Sequence, residues 1–143
     1  MKFKEFVDVS TAKVLKLLGF NEPCFSYYDS LSGSLSVSIK EETQDSLRGG
    51  QFLAPTKQLV MWWLRKMGIQ INVITLCRTK YKIEYYTEIG DFRNKEPSGE
   101  YTKINWIRIP VGTVNFDSYE EAIISGIDVA TTMLVGNKVT NKT

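Results

Sequence analysis

"IQINVITLCRTKYKIEYYTEIG", residues 69–90, is the stretch whose reading decides the fold. It is rich in β-branched and aromatic residues and alternates with a period of two, the mark of two strands joined near Thr79. The pairing register fixes what each face holds, because a slip of one residue exchanges the faces. A three-residue loop, Thr79 to Tyr81, gathers Ile69, Ile71, Val73, Thr75 and Cys77 with Ile83, Tyr85, Thr87 and Ile89. The other face then carries Gln70, Asn72, Arg78, Lys82, Glu84 and Glu88, with Ile74, Leu76 and Tyr86 among them. A two-residue loop would mix apolar and charged side chains on both faces, so the first register is expected. The patch of Ile74, Leu76 and Tyr86 then needs a cover, either another element or a second subunit.

Just upstream, "APTKQLVMWWLRKMG" (residues 54–68) reads as a helix with Pro55 in its first turn and Gly68 at its end. Turning about 100° per residue places Leu59, Val60, Trp63, Leu64 and Met67 on one broad face. The tryptophan doublet therefore splits. Trp63 points into the core, and Trp62 falls at the border beside Gln58, Arg65 and Lys66. A rim aromatic beside cations suits a protein interface or the stacking of a base.

Downstream, "DFRNKEPSGEY" (91–101) is a loop and "TKINWIRIP" (102–110) another strand ending at Pro110, with Ile104 and Trp106 alternating against Asn105 and Ile107. "FDSYEEAIISGIDVATTML" (116–134) opens with the S-x-x-E capping box of Ser118 and Glu121. Ile123, Ile127, Ala130 and Leu134 repeat at helical spacing. Ala122, Gly126 and Ala130 make a small-residue stripe, as close packing on the chain's own elements or on a second chain would require.

Towards the N-terminus, "STAKVLKLLGF" (10–20) reads as a helix capped by Ser10 and ended by Gly19, with Lys13 and Lys16 on a solvated side. Residues 3–9 suggest an edge strand. "CFSYYDSLSGSLSVSI" (24–39) reads as two strands, the second burying Leu35, Val37 and Ile39 between outward serines. "KEETQDSLRGGQF" (40–52) reads as a polar surface loop. The expected fold class is α+β: an antiparallel sheet with helices packed mainly on one face, in the order α-β-β-α-β-β-β-α. Residues 1–136 are expected to form a single domain and residues 137–143 a flexible tail.

Composition narrows the chemistry. The 143 residues contain no histidine, which removes Ser-His and Cys-His relays and His-based metal sites. The two cysteines, Cys24 and Cys77, fall short of a zinc set and read as buried free thiols, with a disulfide between them the alternative. Glu84 and Glu88 look like charge pairing on a wet strand face rather than a catalytic pair. No catalytic residue, cofactor or metal ligand is expected. A net charge of +2 is too small to imply nucleic acid by itself. Arg78, Lys80 and Lys82 around Tyr81 nonetheless make a basic hairpin tip of the kind that enters a major groove. No signal peptide or membrane span is visible, so a cytoplasmic protein is expected.

Three short motifs carry a resemblance. They are Gly19, Phe20, Glu22, Pro23 and Cys24; Ala54, Pro55 and Thr56 with Trp63 and Leu64; and Tyr119 to Ala122. This GF-x-EPC, APT…WL, YEEA pattern resembles a group of uncharacterised small proteins of tailed phages and prophages of gut bacteria. The resemblance implies a phage or mobile-element origin and action in the host cytoplasm, and it transfers no catalytic residues.

The leading expectation is a small non-enzymatic binding protein that works through protein–protein contacts as a homo-oligomer or with a host or phage protein. Its candidate interface is Trp62, Ile74, Leu76, Tyr86, Ala122, Gly126 and Ala130. One alternative is a nucleic-acid-binding accessory protein using Arg78, Lys80, Tyr81 and Lys82. The other is a binder of a small anion, such as a nucleotide signal, at Trp62, Arg65 and Lys66.

Overall fold

The computed structural model describes residues 5–93, 104–112 and 114–140, with side chains as far as residue 136. In order, its elements are α1 (Val9–Leu17), β1 (Cys24–Asp29), β2 (Leu35–Glu42), a 3-10 turn (Gln44–Ser46) and β3 (Gln51–Leu53). There follow α2 (Lys57–Lys66), β4 (Ile69–Thr79), β5 (Lys82–Asp91), β6 (Asn105–Ile109) and α3 (Tyr119–Thr140). The class is α+β and the expected order holds, with the short β3 added. The strands form two three-stranded antiparallel sheets instead of one, β2-β1-β3 and β4-β5-β6. The chain divides into two compact units, Met1–Leu59 with Met133–Thr143, and Val60–Thr132.

In the first unit, α1 starts two residues earlier than a Ser10 cap would have it. Asp8 is the N-cap, its carboxylate accepting from the Thr11 amide at 2.8 Å. Aspartate caps as well as serine does, and Ser10 bonds to Asp8 instead. Gly19, at φ 87°, ends the helix as expected. The Phe20 amide bonds the Leu15 carbonyl and the Gly19 amide that of Lys16, which is the Schellman arrangement.

Within the expected loop, residues 51–53 pair with β1, placing Tyr28 opposite Phe52. Three residues are too few to show a period. Of the expected edge strand, Phe6 makes an isolated bridge to Thr56, and residues 3–4 lie outside the described residues. The expected inward set of β2 is not buried, since Val37 is 69% and Ile39 102% exposed. For Ile39 the cause is a bulge: Ser26 faces Val37 but Cys24 faces Glu42, so residues 38–41 are looped out of register, whereas Val37 keeps its place in the ladder and borders a groove.

The second unit holds the β4-β5-β6 meander in the expected register, with Ile71 opposite Ile89, Asn72 opposite Glu88 and Ile74 opposite Tyr86. At the tip a bulge at Arg78 brings Thr79 opposite Lys82, leaving Lys80 and Tyr81 as a two-residue turn. Strand β6 pairs with β5 through Ile107–Ile89 and Trp106–Gly90. Beyond it the Ile109–Pro110 peptide is cis, and Phe116 returns to bridge Tyr85. Of the expected loop at 91–101, residues 94–101 lie outside the described residues.

Helix α2 follows a Thr56 hydroxyl that accepts from the Leu59 amide, and it stops at Gly68, φ 90°. Val60, Trp63 and Leu64 are buried, while Met67, expected on the same face, is 44% exposed. Helix α3 is capped by Ser118, whose hydroxyl accepts from the Glu121 amide. Its buried stripe of Ile123, Ile127, Ala130 and Leu134 is the expected one. The helix runs on to Thr140, past the expected start of a tail at residue 137, and residues 141–143 lie outside the described residues. Among the described residues no helix is long and apolar enough to cross a membrane.

Candidate functional site

The polar face of the β4-β5-β6 sheet is organised on Glu84. Parity puts this residue beside Tyr86 and Glu88, and the Arg78 bulge turns a guanidinium towards it. Arg78 Nε lies 2.9 Å and Lys82 Nζ 3.1 Å from its carboxylate oxygens. Asn115, from the segment after Pro110, donates to Oε2 at 2.9 Å and accepts from Arg108. Glu84 is therefore buried and not on a wet face. The hydrogen bonds from Asn115 and Lys82, with the charges of Arg78 and Lys82, outweigh desolvation and hold its carboxyl below the ordinary range. This network engages two of the three tip cations expected to meet nucleic acid, Arg78 and Lys82. Lys80 sits 5.8 Å from the centre of the Tyr81 ring, and Tyr81 is 90% exposed.

The expected patch of Ile74, Leu76 and Tyr86 is brought together by register, but it is half-buried. The Arg108 guanidinium lies 4.1 Å from the centre of the Tyr86 ring, a separation at which cation and aromatic face attract. Next to it Trp106 packs edge-on against Phe92 and covers Gly90, where a Cβ would come within 2.8 Å of both rings.

Trp62 and Trp63 split as their helical phase requires. Trp62 is partly exposed, and Lys66, one turn on, sits 4.1 Å above its ring. Arg65 and Lys66 open onto a groove of about 590 Å³ lined also by Gly68, Gln70, Phe92 and Arg93. Arg93 donates to both carboxylate oxygens of Asp91, at 2.9 and 2.7 Å. This pairing lowers the Asp91 carboxyl below its usual value.

The small-residue stripe of α3 is not a surface. Ala122, Gly126 and Ala130 are buried, and a Cβ on Gly126 would stand 2.9 Å from the methyls of Ile71 and Thr87. The Thr87 hydroxyl also donates to the Ala122 carbonyl at 2.7 Å. The stripe serves the chain's own sheet, since only small residues let helix and strand approach so closely.

Apolar surface lies elsewhere, at Val37, which the periodicity assigned to a core, and at Phe25. In the first unit Phe25 and Val37 border a groove of about 470 Å³ whose lining includes Cys24, Ala54, Pro55 and Leu59, with Glu5 at its margin. Its walls are tied by Val7 N–H to Pro55 O and by Ala54 N–H to Ser26 O. Cys24 is a buried free thiol as expected. Its pKa is pushed up to about 12 by burial and by the charges of Glu22 and Glu41. Cys77 is also free but exposed, where burial was expected, and lies near the hairpin turn opposite Ile83. The only hint of the groove in the sequence is a run of small and apolar residues around Pro23 and Pro55, which belongs equally to any core. Compared with known proteins, the chain matches no protein-family model, no curated protein and no solved structure.

Proposed function

We propose that this chain is a small non-enzymatic binding protein that acts through protein–protein contacts and assembles with copies of itself. The observation that carries this reading is the groove of the first unit, apolar in its floor and bordered by the exposed Phe25 and Val37. Apolar side chains held in water beside a preformed concavity favour a partner that covers them. The resemblance to small phage and prophage proteins fits such a role in the host cytoplasm. The test is mass in solution by light scattering over a wide concentration range. Species well above the 16.3 kDa of one chain are expected, and a strict monomer at the highest concentration would overturn self-assembly.

A second reading is favoured by the groove at the end of α2, where Arg65, Lys66 and Arg93 meet. It is a site for a small anion, with Trp62 close by under Lys66. Thermal shift with inorganic phosphate and with nucleotides tests it, since a ligand of the folded state raises the melting temperature. The basic hairpin tip is less suited to nucleic acid than its sequence implied, because Glu84 sits between Arg78 and Lys82.

A further inference from the structure

We propose that the groove of the first unit receives the β4–β5 hairpin tip of a second copy of the chain, so that self-association runs head to tail. This rests on the homo-oligomer reading above and names its two surfaces.

The groove is largely apolar, and Glu5 is the charged residue in its lining. Cys24, Ser26 and Ala54 are buried in its lining, while Phe25 at 52% and Val37 at 69% exposure stand as outer walls. Glu5 lines it directly, and Glu22 and Glu41 act electrostatically on the Cys24 thiol in its lining. Its frame is set by backbone hydrogen bonds, including Lys57 N–H to Glu5 O and the Phe6–Thr56 bridge. A partner that fits must offer an apolar or aromatic anchor flanked by positive charge.

The hairpin tip has that chemistry. Tyr81 is 90% exposed at the apex, with Ile83 behind it at 54%. Lys80 flanks the anchor, and although Arg78 and Lys82 are paired with Glu84, one carboxylate among three cations leaves the tip a net positive charge. Tyrosine is among the residues that dominate interface energetics, because a ring brings much area at small cost in rotamer freedom. The turn is held in place by the Arg78 bulge and the Arg78–Glu84 contact, so little ordering is needed on docking. Strand addition at β2 is a poorer route to self-association. That edge is bulged over residues 38–41 and carries Lys40, Glu41 and Glu42, devices that blunt an edge.

Head-to-tail pairing uses two different surfaces on each copy, and that gives a decisive experiment. Tyr81→Ala removes the anchor and leaves the groove. Val37→Lys damages the groove, placing a cation where Lys80 must approach, and leaves the tip. Both positions are exposed, so circular dichroism should show unchanged folding. In sedimentation velocity each variant alone should lose self-association by roughly thirtyfold or more, the size expected of a central anchor. Mixed in equal amounts, the two should form a dimer capped at two chains, with nothing larger. The charge exchange Lys80→Glu with Glu41→Lys should weaken assembly when either is made alone and restore it when both are combined.

Single variants that assemble like the parent would overturn the proposal and leave the groove to some other partner. A mixture that stays monomeric would also overturn it, as an interface of one self-complementary patch predicts. A parent chain that never assembles removes the homo-oligomer reading itself, a result visible before any variant is made.

Discussion

Glu84 is covered by residues that reach it from three directions, the bulge at Arg78, the neighbouring Lys82 and the segment bearing Asn115. Its carboxyl is held below the 4.5 of an unperturbed glutamate, chiefly by the Asn115 hydrogen bond. A group whose pKa is depressed on folding stabilises the native state above its unfolded pKa. That stabilisation is lost as pH falls through the folded value. Glu84→Gln should therefore be less stable than the parent at neutral pH, and the gap should close as acid is added below pH 4.5. Denaturant titrations of both proteins across this range measure it. The two thiols give a second residue-scale expectation. Cys77 is exposed and Cys24 buried with its pKa near 12, so the native chain should react with one equivalent of a thiol reagent and the denatured chain with two. Little of this was legible beforehand. The sequence shows that Arg78, Lys82 and Glu84 are near one another in the chain, but Asn115 joins them only through the path of the segment after Pro110.

Strand parity was legible in β4 and β5 because both strands have strongly contrasting faces. Ile71 and Ile89 could share a face in only one register without burying Glu88. The same logic failed in β2, whose contrast is between serine and aliphatic residues. Serine is small enough to turn inward, and a bulge of four residues cannot be read from alternation. Helix α3 shows how an element's composition can be read correctly and its partner left open. The stripe of Ala122, Gly126 and Ala130 was visible as a close-packing seam, and register data were needed to show that Ile71 and Thr87 meet it at Gly126. Gly126→Ala tests this seam. Alanine favours a helix over glycine by about 1 kcal/mol. The added methyl would meet two β-branched side chains at 2.9 Å, where neither can rotate away easily. Overpacking typically costs 1–3 kcal/mol. Packing should win, leaving the variant destabilised by about 1 kcal/mol, measured as a lowered melting temperature. An equal or higher value would show that the seam has slack.

At the scale of the whole molecule, charge gives little orientation, because 18 basic and 16 acidic residues are spread along the chain. What distinguishes the surface is the placement of apolar side chains beside charged groups, Val37 and Phe25 near Glu5, Tyr81 near Lys80. If those places meet between copies, folding and assembly are linked. A partner that binds only the folded chain adds RT ln(1 + [L]/Kd) to stability, so each tenfold rise in concentration above Kd adds roughly 1.4 kcal/mol. For a chain of this length, about 1 kcal/mol moves the melting temperature by roughly 3–4 °C. The parent should thus melt about 4–6 °C higher for each tenfold increase in protein once assembly is under way. Val37→Lys should melt at one temperature throughout, matching the parent at its most dilute, because the change touches an exposed side chain and not the core. A parent whose melting temperature ignores concentration would mean that Phe25, Val37 and Tyr81 stay in water at every concentration, and that the groove faces solvent for some purpose other than joining copies of this chain.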